Sequence, residues 1–471
     1  MTPTPEPGGR PLPSGEADAR AAALRTSVGD PAATREARLS ALRELVPSLP
    51  SAGESGGESN NHIHTIYSFS PYSPSMAALR AREASLEVAG SVDHDSISAA
   101  AEMTAACALL GLGSVTGCEI RVDFGGAGRE KGVFGTRKIN NPDSAGIVYM
   151  TIQGVPAPRV PDLDRFLAPI RARRLERTRE MARAASTLLE KAGAEAIDFE
   201  AMVVARSKAA EGGGVTERHL LAAVADRMIA ARGRGPGLLE FLETRIGIRP
   251  PARLAPLLAD PDNPYLLYDI LGVLKSGFLD RIFIQPDGRE CPPAAEAVEF
   301  ARGIGAIPAY AYLGDVSESP TGDKRAERFE DGFLEELFSA LRGLGFLAVT
   351  YMPPRNTRAQ LTRVRSLCET YGLMEISGVD INQPRQSFNC PELRLPEFRR
   401  LGDATWALVA HERLVSVDSR SGLFSPDGPI ADRPLSERVT AYGRAGLSMD
   451  LSRPDAAGDL LPDLAKGRFS R

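Results

Sequence analysis

The sequence predicts an α/β protein built on a parallel sheet, either a barrel or an open doubly wound sheet. Two observations carry this. Short apolar or β-branched runs alternate with helical stretches from Asn60 to about 155, and the same alternation returns from about 293 to 390. Three of the five histidines, His62, His64 and His94, fall at or beside predicted strand ends. Alternation of this kind implies right-handed crossovers between parallel strands. The carboxyl ends of such strands are where α/β proteins keep their sites.

Taken in order, residues 1–58 read as a flexible segment with one helix. MTPTPEPGGRPLPSGEADAR has nothing to bury. A charged helix around Pro31–Val46 follows, with Leu39, Leu42 and Leu45 at helical spacing. Residues 59–155 hold the strand NHIHTIY, a helix at Ser75–Ser85, the strand LEVAGSVD, a helix at about Ile97–Leu110, the strand GSVTGCEIRVDF and a fourth strand, GIVYMTIQG. Residues 156–292 read almost wholly as helix, an insertion between two halves of one sheet. It contains the charged stretch Arg171–Lys191 and a second helix opened by Thr216 as N-cap. The alternation resumes over 293–420: a helix at Ala294–Arg302, strand AIPAYAYL, a helix at Arg325–Leu344, strand FLAVTYM, a helix at Thr357–Tyr371 and strand LMEISGVDI. Residues 421–471 form a C-terminal extension.

Composition narrows the function. Hydrophobic residues make up 43% and charged residues 25% of 471, as in ordinary globular proteins. A net charge of −5 argues against a nucleic-acid-coating surface, which needs a concentrated positive field. Five scattered cysteines without a C-x-x-C pair suggest reduced, buried thiols. The N-terminus has no apolar core like that of a signal peptide, and no apolar run is long enough to cross a bilayer. A cytoplasmic protein without a membrane partner is expected.

The chemistry gathers on four segments. His62 and His64 are two apart on a strand, so both side chains share a face and one cation can reach both. Taken alone, the pair is equally compatible with two histidines meeting by chance. Asp93–His94–Asp95 follows a strand directly; Asp95 or Ser96 suits a helix N-cap while His94 faces the site. Glu119 lies inside an apolar strand and Asp380 near the end of another, where a carboxylate is costly unless paired or metal-bound. Histidine with carboxylate makes a mixed N/O donor set that suits zinc, manganese or iron(II).

HIHTIYS, VDHDS, TGCEIRV and SGVDIN, in that order and on those strands, resemble the motifs of the PHP (polymerase and histidinol phosphatase) family. The resemblance spans roughly 59–155 and 293–390. It implies a distorted seven-stranded α/β barrel, PHP-like and TIM-like, with the helical subdomain inserted between its halves. It also implies one to three metals at the C-terminal strand ends and hydrolysis of phosphoesters. By motif match His62, His64, Glu119 and Asp380 hold the first metal, and His94 belongs to the second. Three family ligands are absent: Phe69–Ser70, Ala309–Tyr310–Ala311 and Asn382 stand in their places. The first site is thus complete, the second depleted and the third missing. Asn382, Asp93, Asp95 and Asp315 remain as candidates to fill out the second.

The expected activity is that of a metal-dependent hydrolase, a phosphatase or phosphoesterase acting on a small phosphorylated metabolite or nucleotide. It would use one tight divalent metal and a second, looser one, with His94 or Asp93 as acid or base. Arg355 and Arg385, on loops leaving predicted strands, suit bidentate phosphate binding. Asn382 and Tyr310 are expected beside the substrate, and Lys324 is a weaker candidate. Surface arginines are common in so Arg-rich a chain, and each could be bland by itself. His219 and His411 read as structural. Two alternatives stay open: a nuclease, for which the arginines of 171–183 are the only support, and a metal-binding sensor with little turnover.

Overall fold

The computed structural model describes residues 14–51, 56–126, 133–316 and 328–469. Its seven strands form one mixed sheet, curled almost into a closed barrel. They are β1 (Ser59–Ile63), β2 (Val88–His94), β3 (Gly113–Asp123), β4 (Ile147–Gln153), β5 (Ile307–Ala311), β6 (Ala348–Tyr351) and β7 (Met374–Ser377), adjacent in chain order. β1, β2 and β3 are mutually parallel, as are β5, β6 and β7. Beyond β7 the chain returns to β1. His64 N donates to Ile381 O at 2.9 Å, and Ile381 N to His62 O at 3.0 Å. This seam demands a close approach, since a Cβ on Gly378 would lie 2.7 Å from the His62 Cβ.

Helices clothe the barrel. α1 (Ser14–Gly29) and α2 (Arg35–Leu45) precede it, and α3 (Pro74–Glu83) and α4 (Ala100–Leu110) are crossovers of the first half. The N-terminal segment therefore carries two helices where one was expected. Its Pro/Gly-rich start hides the run EADARAAALR, whose alanines favour helix. Val28, Ala41, Leu42 and Leu45 pack into one core with Ala77 and Ala106. Arg38 meets Glu102 in a buried two-pronged pair, at 2.8 and 2.7 Å.

One strand departs from the parallel pattern. β4 runs antiparallel to both β3 and β5. No helix occurs in the described part of 124–146, so the chain doubles back instead of crossing over. β4 thus ends where the parallel strands begin, and the insertion must climb the barrel to reach the other rim. α5 (Val160–Ala192) does this: 33 residues span about 50 Å at 1.5 Å per residue. Leu163, Leu167 and Ile170 pack on the barrel core, whereas Met181, Ala185 and Leu189 pack in the core of the insertion. α6 (Glu217–Arg232), α7 (Pro236–Phe241), α8 (Ala255–Ala259) and α9 (Leu266–Gly277) complete that second core. α10 (Ala294–Gly303) leads into β5, and α11 (Leu334–Leu344) and α12 (Arg358–Tyr371) are crossovers. α12 opens on a capping box: Thr357 Oγ1 accepts from Gln360 N and Gln360 Oε1 accepts from Thr357 N. α13 (Arg399–Val417), α14 (Leu435–Leu447) and α15 (Leu461–Ala465) cover the sheet's far end, where Trp406, Leu408 and Leu414 meet Val88, Val115 and Ile307.

The insertion is bolted to the barrel by buried charge. Arg174 and Arg177 of α5 and Arg121 of β3 face Asp95, Glu217 and Glu290. Three guanidiniums against three carboxylates leave the set neutral. Although burial opposes each charge, the arginines hold the Glu217 carboxyl well below its usual range. The carboxylates in turn hold Arg121 and Arg174 above theirs. Backbone contacts add to this: Ser96 Oγ donates to Gly212 O at 2.7 Å, and Gly214 N to Tyr67 O at 2.8 Å. Gly214 passes so close to β2 that a Cβ there would lie 2.7 Å from His94 O. Among the described residues no helix is long and apolar enough to cross a membrane. All five cysteines are free and buried.

Candidate metal centre

Five residues in or just beyond four neighbouring strands converge. His62 lies in β1 and His64 just past it, their rings 5.1 Å apart, centroid to centroid. His94 closes β2 directly opposite Glu119 of β3, because the parallel register pairs these two residues. Asp380 enters from the segment that seals the barrel onto β1. His62 Nε2 lies 3.8 Å from Glu119 Oε1, His64 Nε2 3.3 Å from Asp380 Oδ1, and His94 Nδ1 2.9 Å from Glu119 Oε2. Two overlapping triads, His62–His64–Asp380 and His64–His94–Glu119, each bring three donor atoms within 4.8 Å of one another. His94 and Glu119 thus form a triad distinct from that of His62 and Asp380, and His64 belongs to both.

The donor atoms fit a cation. His94 Nδ1 is buried and, despite the nearby Glu119 oxygen, makes no aligned hydrogen bond. A buried nitrogen facing a carboxylate without a shared proton is an orphan that a metal ion satisfies. Burial lowers the pKa of His62 and pushes that of His94 well below the ordinary value, which keeps both imidazoles neutral. Burial also raises the Glu119 carboxyl, against the pull of His62 and His64. For His64, burial is outweighed by its contact with Asp380, which raises the imidazole and lowers the carboxylate.

Supporting contacts hold this geometry. Ser68 Oγ lies 3.2 Å from His64 Nδ1 and also donates to Asp93. Thr65 gives Asp93 two more bonds, from N at 2.7 Å and Oγ1 at 2.6 Å. Asn382 Nδ2 donates to Asp380 Oδ1 at 2.6 Å, while its own Oδ1 is buried without a partner. Partners of this kind orient a ligand and set its basicity.

A cavity of about 200 Å³ opens over the cluster, lined by His62, His94, Glu119, Asp380 and Asn382. The insertion contributes two cations to it, Arg218 of α6 and Lys275 of α9. Arg218 donates to Asn382 O at 3.3 Å and lies over the Phe69 ring. Lys275 pairs with no carboxylate among the described residues. The sequence reading missed both. Lys275, a lone ammonium in the apolar helix LLYDILGVLKSG, was the signal available.

Several expected site residues go elsewhere. Asp93 neighbours His94 on a strand, so the two face opposite ways, and its carboxylate serves the 65–68 turn instead of the cluster. Tyr310 is wholly buried on the outer side of β5, donating to Glu330 at 3.0 Å, while its neighbour Ala311 lines the cavity. Arg355 Nε donates to Leu313 O at 3.1 Å. Arg385 forms a two-pronged pair with Asp269 of α9, both contacts at 3.0 Å, and covers the Tyr265 ring. It ties the last loop to the insertion. Asp95 is held by Arg174, and Asp315 accepts from Phe329 N at 2.6 Å. Lys324 lies outside the described residues. In α5, Arg171, Arg173, Arg174, Arg177 and Arg179 all pair with carboxylates.

The remaining histidines are structural. His219 Nδ1 accepts from Thr216 N at 3.0 Å in a capping box, and burial takes its pKa down to about 3. His411 lies between Gly305 O and Leu423 N, and burial takes it to about 4.

Fold and site together define an α/β barrel with a candidate divalent-metal centre at the C-terminal ends of its parallel strands. No family model and no curated protein matches the chain. Four solved chains do. One is an amidohydrolase from Chromobacterium violaceum with bound sulfate and no metal. It is 19% identical, covering 73% of this chain and 95% of that one, with a TM-score of 0.45. Another is a proposed metal-dependent phosphoesterase from Bifidobacterium adolescentis. It is 20% identical, covering 72% and 94% of the two chains, with a TM-score of 0.45. At such identity and overlap no chemistry carries over to this chain.

Proposed function

We propose that this chain is a metal-dependent phosphoesterase acting on a small phosphorylated metabolite or nucleotide. The observation that carries the reading is convergence: four residues of the N/O donor set, His62, His94, Glu119 and Asp380, line one cavity together with two cations from the insertion, Arg218 and Lys275. His62, His64, His94, Glu119 and Asp380 would hold a divalent ion such as zinc, manganese or iron(II). When bound, that ion supplies Lewis acidity and a water made acidic near neutral pH. Lys275 and Arg218 then hold the phosphate, whose negative charge one divalent ion beside two carboxylates does not offset. Asn382 keeps Asp380 oriented, and Ser68 and Asp93 do the same for His64. In this reading His94 is a metal ligand instead of a free acid or base. The insertion covers the barrel mouth and sets specificity by what it adds to the cavity.

The test combines metal content with turnover. Protein purified without chelator should carry about one tight divalent ion per chain and hydrolyse members of a phosphomonoester panel only while it is bound. A fully loaded protein that turns over no phosphoester would sink the enzyme reading and leave a metal-binding regulator.

A further inference from the structure

A second cavity, of about 720 Å³, shares no lining residue with the one over the ligand cluster. Its floor is α4, where Ala101, Ala105 and Ala108 recur on one helical face and leave the space unfilled. Leu39 and Arg43 of α2 form one wall and Arg413 and Val417 of α13 another, and Leu451 of the C-terminal extension also lines it. The two terminal extensions thus build a pocket that the sheet and its crossovers alone would lack. Its volume lies in the range of small-molecule sites. Val417 is 51% exposed, and among the large hydrophobic side chains of the described residues only Leu447 is more open. Apolar surface left open in a concave site marks a binding face.

Charge decides what kind of ligand fits. Neither Arg43 nor Arg413 forms an ion pair with a carboxylate among the described residues. Arg413 Nη2 donates to the neutral Ser114 hydroxyl at 3.0 Å. The one acid in the lining, Glu412, is buried and turned to β3, accepting from Thr116 N and Oγ1. Burial pushes its pKa up to about 7, against the pull of Arg413 and its bonds from Thr116. The pocket is an apolar trough with two guanidiniums in its walls.

We infer that this cavity binds a single-chain amphiphilic anion, its apolar chain along the alanine face of α4 and its acidic head at Arg413 and Arg43. The inference stands on this pocket alone and is independent of the metal reading.

Calorimetric titration of the full chain with decanoate tests it, with decanol and decyltrimethylammonium as neutral and cationic controls. Decanoate should bind at one equivalent and at least about tenfold more tightly than either control. Ala105→Trp, or Ala108→Leu if the first variant misfolds by circular dichroism, should abolish the heat. Arg413→Gln should weaken decanoate about tenfold and leave decanol unchanged. Absence of binding at millimolar decanoate, equal binding of the controls, or binding that survives the filled pocket would each overturn it. So would recruitment of the chain to phosphatidylglycerol vesicles without decanoate binding, which would mark a membrane face instead.

Discussion

Two buried polar clusters meet at adjacent residues, His94 in one and Asp95 in the other, and they are built on opposite rules. Around Asp95, three guanidiniums face three carboxylates, and the cluster is neutral within itself. Around His94, three imidazoles and two carboxylates point their donor atoms inward, with His94 Nδ1 left unbonded. Charge balance without an outside partner marks the first as structural, a bolt between insertion and barrel. Convergent donors without a cation of their own mark the second as a place for one. A buried charged residue therefore says little until its partners are known.

The comparison breaks most sharply at His64, which both ligand triads share. His64→Ala should take the tight metal from about one equivalent to near zero and lower turnover at least about 1,000-fold. Wild-type occupancy in an elemental analysis of that variant would remove the site. On the other side, Arg177→Met leaves three buried carboxylates facing only two guanidiniums, Arg121 and Arg174. It should cost about 3–5 kcal/mol in urea unfolding, the usual loss when one partner of a buried pair is deleted. A midpoint equal to wild type would show that the bolt carries no stability.

Lys275→Ala and Arg218→Ala come next, each lowering kcat/KM about 100-fold with metal content unchanged. Unaltered kinetics in both would take phosphate binding away from the insertion. Acid tests the bolt. Glu217 has its folded pKa depressed, so it contributes stability above its unfolded value near 4.5 that is lost as pH falls through the depressed one. Glu217→Gln should be less stable than wild type at pH 7 and lose less on acidification; parallel stability–pH curves would contradict this. The smallest effect belongs to Arg385→Ala. Its guanidinium is spent on Asp269, so kcat/KM should stay within about twofold, and a large kinetic loss would restore it to the substrate site.

Much of the architecture was legible in the sequence because it rests on local periodicity. Strand–helix alternation and the positions of His62, His64, Glu119 and Asp380 in or beside strands are one-dimensional facts. So are the Thr357 cap and the helical run of 156–292. The antiparallel direction of β4 departs from the parallel sheet that the alternation predicts; the one local signal was the lack of a helical pattern over 124–146.

Period-2 spacing fixes which residues share a face but not which face is the interior. That is why Asp93 and Tyr310 were placed at the site while their neighbours His94 and Ala311 line it. Long side chains were the other blind spot. A guanidinium reaches partners on several elements at once, and only the folded chain decides whether Arg385 meets substrate or Asp269. The same holds for Lys275 and Arg218, far from every ligand in sequence. They reach the cavity because α5 climbs the barrel and carries the insertion to its mouth. Residue type and strand position mark the candidate donors and their order along the chain; folding settles which charges already have partners, because pairing depends on distance in space.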